Sequence, residues 1–283
     1  MRSTGGPLTA LVTGGSSGIG EAIALHLAGM GHRSILVSEN GDELERAGRR
    51  ILEETGVRCE LLRIDLSERD AAQRVVRECE SRRLDVDILV NCAGLFSNVD
   101  DEMGVDCGRV DPGDGAPDPG DSRVGTLLAL HVHVLTRLSL LFGRRMIARG
   151  GGYILNVSSI SALFPDPSSL TYGPSKRYVL SFSRLLHLHW REHGVGVTCI
   201  VPGAVDTAFF RNNDITLPTM VRSHLMPVER CAVLAVGALF RGRCVVLPGF
   251  WSRLHVVLFR ILLRPALYTR LKRVYLAMRR KGS

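Results

Sequence analysis

No two of the seven cysteines stand in a C-x-x-C pair, and none lies at metal-ligand spacing from a histidine. Cys59, Cys79, Cys92, Cys107, Cys199, Cys231 and Cys244 are odd in number and scattered along the chain, so a disulfide scaffold and a structural metal site are both excluded. A reduced, cytoplasmic protein is expected. The first fifteen residues contain one arginine and reach a glycine-rich turn before any apolar stretch develops, so no signal peptide is expected. Long apolar runs are missing near the C-terminus as well: LHVVLF alone separates Arg253 from Arg260, and Pro265 follows Arg264. A bilayer span needs about 20 apolar residues, so no transmembrane helix is expected there. Acids are absent from residues 244–283, which hold nine basic residues. Taking those nine from the 36 Lys and Arg leaves 27 against 28 acids, so the net charge of +8 belongs to the tail. No recognition motif or aromatic-studded groove accompanies that charge, and nucleic-acid binding is not expected.

What is present is an ordinary globular balance, 45% hydrophobic and 23% charged over 283 residues. Short β-branched or apolar runs at 8–12, 34–38, 61–64 and 88–90 alternate with stretches of helical periodicity. After residue 123 the alternation resumes: a helix over about 124–149, a strand at 153–157, a helix over about 170–193, a strand at 196–201, a helix at 228–240 and a strand at 244–247. The order predicts one doubly wound α/β domain, a Rossmann-type parallel sheet of about seven strands over residues 1–248, followed by a basic amphipathic helical extension at 249–283. Residues 97–123 interrupt it with a Gly/Pro-rich segment carrying eight acids, read as a solvated loop insertion rather than a partner-binding loop.

Directly after the first strand stands Thr13-Gly14-Gly15-Ser16-Ser17-Gly18-Ile19-Gly20, opening a helix. Glycines at 14, 18 and 20 allow a tight turn, close backbone approach to a pyrophosphate and close helix–strand packing, with the helix N-terminus facing the phosphates. A dinucleotide cofactor is therefore expected. Glu39, 19 residues beyond Gly20, can accept hydrogen bonds from ribose hydroxyls and would repel a 2′-phosphate. With no Lys or Arg at 37–43, NAD(H) is slightly favoured over NADP(H). Further on, Tyr172 and Lys176 stand four apart at a helix start, on one face. An ammonium beside a phenol favours phenolate, which would bring the Tyr172 pKa down towards the working range for proton transfer.

These motifs resemble the short-chain dehydrogenase/reductase family: TGGSSGIG at 13–20, Asp65-Leu66, Asn91-Cys92-Ala93-Gly94, Ser159, YGPSK at 172–176, and Pro202-Gly203 with Thr207. KRYVLSFSRLLHLHW and RGRCVVLPGFWSRL look most like the DltE-like oxidoreductases of that family. The resemblance implies Tyr172 as general acid/base, Ser159 on the substrate carbonyl, and Lys176 on the tyrosine and the nicotinamide ribose. It places Thr13, Gly14, Ser16, Ser17, Gly18, Ile19, Gly20, Asp65, Leu66, Asn91, Ala93 and Gly94 on the adenosine and phosphate side. Pro202, Gly203, Val205 and Thr207 would line the nicotinamide side. Two departures stand out. Cys92 replaces the usual second Asn, and His131 stands where many relatives keep an Asn that holds a proton-relay water. An imidazole can still bond water and would make activity pH-dependent near neutrality.

Phe209, Phe210, Leu217, Met220 and Leu225 follow Gly203, where the family closes a lid over substrate, so a lipophilic ketone or secondary alcohol is expected: a 3-ketoacyl chain, sterol, retinoid or ketosphingoid base. The tail places Arg253, Arg260 and Arg264 on one helical face beside apolar residues, which suits either a membrane interface or packing on the body itself. The resemblance also implies a homodimer or homotetramer through the two long helices. The alternative to an enzyme is a non-catalytic, membrane-peripheral dinucleotide sensor or scaffold that lost its relay at His131.

Overall fold

The computed structural model describes residues 6–99, 102, 105–106, 109–110, 123–166, 168–213, 224–250, 252–254 and 256–257. Seven parallel strands make the main sheet: β1 (Thr9–Thr13), β2 (Arg33–Ser38), β3 (Glu60–Arg63), β4 (Ile88–Asn91), β7 (Gly152–Val157), β8 (Val195–Ile200) and β9 (Val245–Val246). A two-residue antiparallel ribbon, β5 (Val105–Asp106) with β6 (Arg109–Val110), lies inside the acidic insertion. The main order is β3-β2-β1-β4-β7-β8-β9, so the winding direction reverses between β1 and β4. Ligands of such sheets bind outside the carboxyl ends of the strands at that reversal. Thr13 and Asn91, paired in register, end the two strands there.

The strands read as nearly continuous apolar runs because helices cover both faces. Alternate residues feed two layers. Ala10 and Val12 face α1 (Gly18–Gly29), α2 (Gly41–Thr55) and α7 (Val228–Phe240), burying Ile23, Leu27, Ile51 and Val236. Leu11, Ile35 and Val37 face the other side, with Val75 of α3 (Ala71–Ser81) and Leu138, Phe142 and Met146 of α4 (Arg123–Ala148). Leu186 of α5 (Tyr172–Trp190) closes that layer. A short α6 (Phe209–Asn212) follows β8.

By length and composition α4 is apolar enough to cross a membrane; its Leu138, Phe142 and Met146 are buried against the sheet. The expectation of a wholly solvated insertion is corrected by Glu102. Glu102, one of its acids, accepts hydrogen bonds from Ser169 Oγ (2.9 Å) and Thr171 N (3.2 Å), and from Leu170 N and Thr171 Oγ1. An acid is stabilising near a helix N-terminus, and Glu102 fastens the segment that leads into α5, while Ser169 Oγ accepts from Tyr172 N (2.9 Å), the first N–H of the helix. Most of residues 97–123, Cys107 included, and the tail from 258 lie outside the described residues.

A buried polar chain ties the sheet to α4 and α5. Asn91 Nδ2 donates to Ser139 Oγ (3.0 Å) and Asn156 Oδ1 (2.8 Å), while Asn156 Nδ2 donates to Ser183 Oγ (2.9 Å). All four residues are at most 3% exposed. Asn156→Ala removes an acceptor and a donor at once and leaves buried partners unmatched, so a stability loss of about 1–3 kcal/mol is expected in urea unfolding. A loss within error would show that the neighbours re-pair.

Candidate active site

The glycine turn is built by close approach. Gly14 (φ +62°) donates to Val37 O at 2.9 Å, and a Cβ on it would come 2.9 Å from Ala93 Cα. Thr13 Oγ1 ties the same crossing together, accepting from Cys92 N (3.0 Å) and Ala93 N (3.2 Å). The Asn-to-Cys departure thus leaves the backbone turn intact. Ser17 caps α1 by position without a side-chain hydrogen bond and is exposed, while Ile19 packs on the core beneath. Gly18 faces the Thr207 methyl, whose carbon lies 3.5 Å from where a Cβ would stand. This glycine cradle, open at a helix N-terminus, fits a pyrophosphate.

At the carboxyl end of β2 Ser16 Oγ lies 3.0 Å from Ser38 Oγ and 3.2 Å from Glu43 Oε2. Glu39 is exposed. Arg63, at the end of β3, donates from Nε to Glu39 O (3.1 Å) and has no carboxylate partner among the described residues. This cation arrives from the neighbouring strand, outside positions 37–43. Asp65 Oδ1 accepts from Ser67 N (2.8 Å) and Ser67 Oγ (2.7 Å), and the Leu66 side chain is buried in the core. The Asn91 side chain also turns inward to Ser139 and Asn156, so it does not line the adenosine side as expected. The strand ends at Asn91, and strand alternation points its side chain at the helix layer.

At the other end, Pro202 O accepts from Ile160 N (2.9 Å), Val205 is buried and bridges to Met226, and Thr207 Oγ1 accepts from Phe209 N (3.3 Å) at the start of α6. Ser252 comes close to this end: a Cβ on Gly203 would lie 3.2 Å from Ser252 Cβ. Val256 is buried too, so the described start of the tail packs on the body. Of the lid residues, Leu217 and Met220 lie outside the described residues.

Ser159, Tyr172, Lys176 and His131 converge between these two ends. Ser159 caps the turn at Ile160–Ala162, accepting from Ser161 N at 3.2 Å. Lys176 is buried, donates to Val157 O (3.2 Å), and holds Nζ 5.7 Å from the Tyr172 ring centroid. Around the Tyr172 ring stand Phe96 (5.2 Å between centroids), His131 (5.6 Å) and Phe209 (6.3 Å). Phe96 was not anticipated, although its position just past the carboxyl end of β4 is where such sheets bind ligands. Asn213 Oδ1 fastens this wall, accepting from Phe96 N (2.9 Å) and Arg123 Nη2 (2.8 Å).

The electrostatics differ from expectation. Burial pushes the Tyr172 phenol up to about 12, and hydrogen bonding to Ser159 offsets part of the rise. Burial brings Lys176 down to about 8. Desolvation disfavours each charged form and is the largest cause of both shifts. His131, 1% exposed, is held well below 6.5 by burial and then by Lys176, so it is neutral at neutral pH and does not impose the near-neutral switch its residue type implied. It sits on a π-helical turn at Ala129–Val134 inside α4, a local widening that apolar periodicity does not reveal.

The family model for short chain dehydrogenases matches residues 8–217. The chain is 29% identical over 229 residues to a very-long-chain 3-oxoacyl-CoA reductase of Anas platyrhynchos, covering 81% of this chain and 68% of that one. It is 29% identical over 199 residues to a 17-beta-hydroxysteroid dehydrogenase type 3 of Danio rerio, covering 70% and 61%. A solved short-chain dehydrogenase from Sphingobium yanoikuyae in complex with NADPH superposes with a TM-score of 0.70 at 26% identity, covering 96% of this chain and 94% of that one. With the glycine cradle at the sheet reversal and Ser, Tyr and Lys gathered beside it, the chain belongs to the short-chain dehydrogenase/reductase family and is an NAD(P)-dependent oxidoreductase.

Proposed function

We propose that the protein interconverts a lipophilic ketone and its secondary alcohol, of 3-ketoacyl, sterol, retinoid or ketosphingoid type. The carrying observation is the aromatic wall of Phe96 and Phe209 around Tyr172, with Ser159 hydrogen-bonding the phenol. Relatives named for 3-oxoacyl-CoA and 17β-hydroxysteroid substrates support an apolar carbonyl compound. In this reading a bound nicotinamide supplies or takes up hydride at the carbonyl carbon. Tyr172 gives its proton to the carbonyl oxygen in reduction and takes it back in oxidation. Ser159 orients that oxygen, Lys176 holds the ribose end beside Tyr172, and His131 stands behind Lys176. Gly14, Gly18, Gly20 and Ser17 hold the pyrophosphate; Asp65, Ala93 and Gly94 flank the adenosine side; Gly203 and Thr207 flank the nicotinamide.

A phenol near 12 is protonated at neutral pH and ready to donate. Reduction therefore runs from the resting form, whereas oxidation needs phenolate and rises with pH up to the phenol's own value. An activity screen of 3-ketoacyl thioesters and steroid ketones with NADH and NADPH tests the class; turnover confined to small hydrophilic ketones would refute it.

For the cofactor, Glu39 favours NAD(H), while Arg63, without a carboxylate partner among the described residues, supports acceptance of NADP(H) as well. Glu39→Gln is expected to raise NADPH affinity relative to NADH, and Arg63→Ala to lower it, each by roughly tenfold or less for a solvent-exposed charge. Fluorescence titration of both cofactors reads this; unchanged ratios in both variants would remove the two residues from cofactor choice.

The close approach of Ser252 to Gly203 supports a catalytic domain that runs past residue 248, and the basic composition of residues 260–283 supports contact with anionic membrane. α5 exposes Tyr178, Leu185 and Leu188 on one side, which supports a homodimer or homotetramer through that helix.

A further inference from the structure

Ser175 precedes Lys176 in the motif and is buried. Its hydroxyl donates to Tyr172 O at 2.8 Å, one turn back in α5. A carbonyl has no hydrogen to give, so the single hydroxyl hydrogen is used there. Ser175 Oγ also lies 2.9 Å from His131 Nδ1, and in that contact it can only accept. Nδ1 therefore carries a hydrogen.

Nε2, the other ring nitrogen, is buried with no hydrogen-bond partner among the described residues. It faces Gly94: a Cβ there would overlap Nε2, would stand 2.9 Å from His131 Cδ2, and would lie 3.5 Å from Lys176 Nζ. The two nitrogens border one spot, within which any side chain larger than glycine's would stand between them. The groups facing the ring are the Tyr172 phenol, the Ser175 hydroxyl and the Lys176 ammonium, with the Cys92 thiol beside Lys176. A hydrogen on Nε2 would oppose Lys176, whereas a bare Nε2 presents a lone pair on that side.

We propose that Ser175 locks His131 in the Nδ1–H tautomer, so that Nε2 serves as a standing hydrogen-bond acceptor for the Lys176 ammonium, directly or through one water. Ser175 is then a positioning residue that acts on Lys176 through His131, with no proton transferred to the imidazole. The inference rests on the catalytic reading above for its consequence and on hydrogen-bond geometry for its substance.

The test uses the full-length protein labelled with ¹⁵N at histidine, and long-range ¹H–¹⁵N correlation, with His131→Asn identifying the His131 signals by their loss. Between about pH 6 and 8 the wild type should show Nδ1 protonated and Nε2 bare. An Nε2–H tautomer or an imidazolium in that range overturns the proposal, whatever the turnover. Ser175→Ala should lose the single tautomer and Ser175→Thr should restore it; an unchanged tautomer in Ser175→Ala also overturns it. If Ser175→Ala fails to fold, the wild-type spectrum still decides. With a ketone turned over by the wild type, Ser175→Ala should lower kcat on the order of tenfold at unchanged dinucleotide KM, a fraction of a full acid–base effect. Absence of turnover in the wild type would count against the catalytic reading and leave the tautomer result standing.

Discussion

Tyr172→Phe is expected to lower kcat for ketone reduction by about 10²–10⁴-fold, the range for a single general acid. The substitution deletes one oxygen and keeps the ring that packs on Phe96, His131 and Phe209, so the fold and the aromatic wall should survive. Dinucleotide affinity should change by less than about tenfold, the most that one neutral hydrogen bond contributes. Stopped-flow single turnovers separate the chemical step from binding and product release. Retained turnover would remove Tyr172 as the proton carrier. Binding of cofactor by the wild type without turnover of any carbonyl would instead favour the sensor or scaffold alternative.

The second large effect is steric. In Gly20→Ala the new Cβ would overlap the Gly14 carbonyl oxygen and stand 2.8 Å from its carbon, and backbone cannot step aside as a flexible side chain can. Overpacking of this kind costs about 1–3 kcal/mol, and movement of Gly14 would also distort the pyrophosphate cradle. Loss of stability and of dinucleotide binding should appear together. A Cβ on Gly29, in the same helix, would meet nothing within 4 Å among the described residues. Gly29→Ala should therefore be neutral or stabilising by up to about 1 kcal/mol, from helix propensity alone. If both variants lose stability equally, contact with Gly14 is not the cause.

Strand identities were legible because sheet strands covered on both faces must be apolar throughout, and observed ends differ from the expected ones by a residue or two. The run 228–240 shows its ends in the sequence, with Pro227 before it and Gly242 after it. The glycine turn and the Tyr–Lys pair were legible because each depends on residues close in sequence. Glu102 was not: nothing local distinguishes it from the other acids of its segment, and its role exists only because the insertion meets the start of α5. Arg63 escaped notice for the same reason, since strand pairing brings it to Glu39 across 24 residues. His131 was identified by position, but its charge state was misread, because burial and the proximity of Lys176 are properties of packing.

The amino-acid sequence by itself determined the doubly wound architecture, through apolar periodicity, and the cofactor class, through the glycine turn, and its motifs carried the resemblance to the family. Tertiary structure alone decided that Arg63 meets Glu39, how burial moves Tyr172, Lys176 and His131, and that Ser175 stands against His131. Those depend on desolvation and on contacts between segments distant in the chain, which no local pattern encodes.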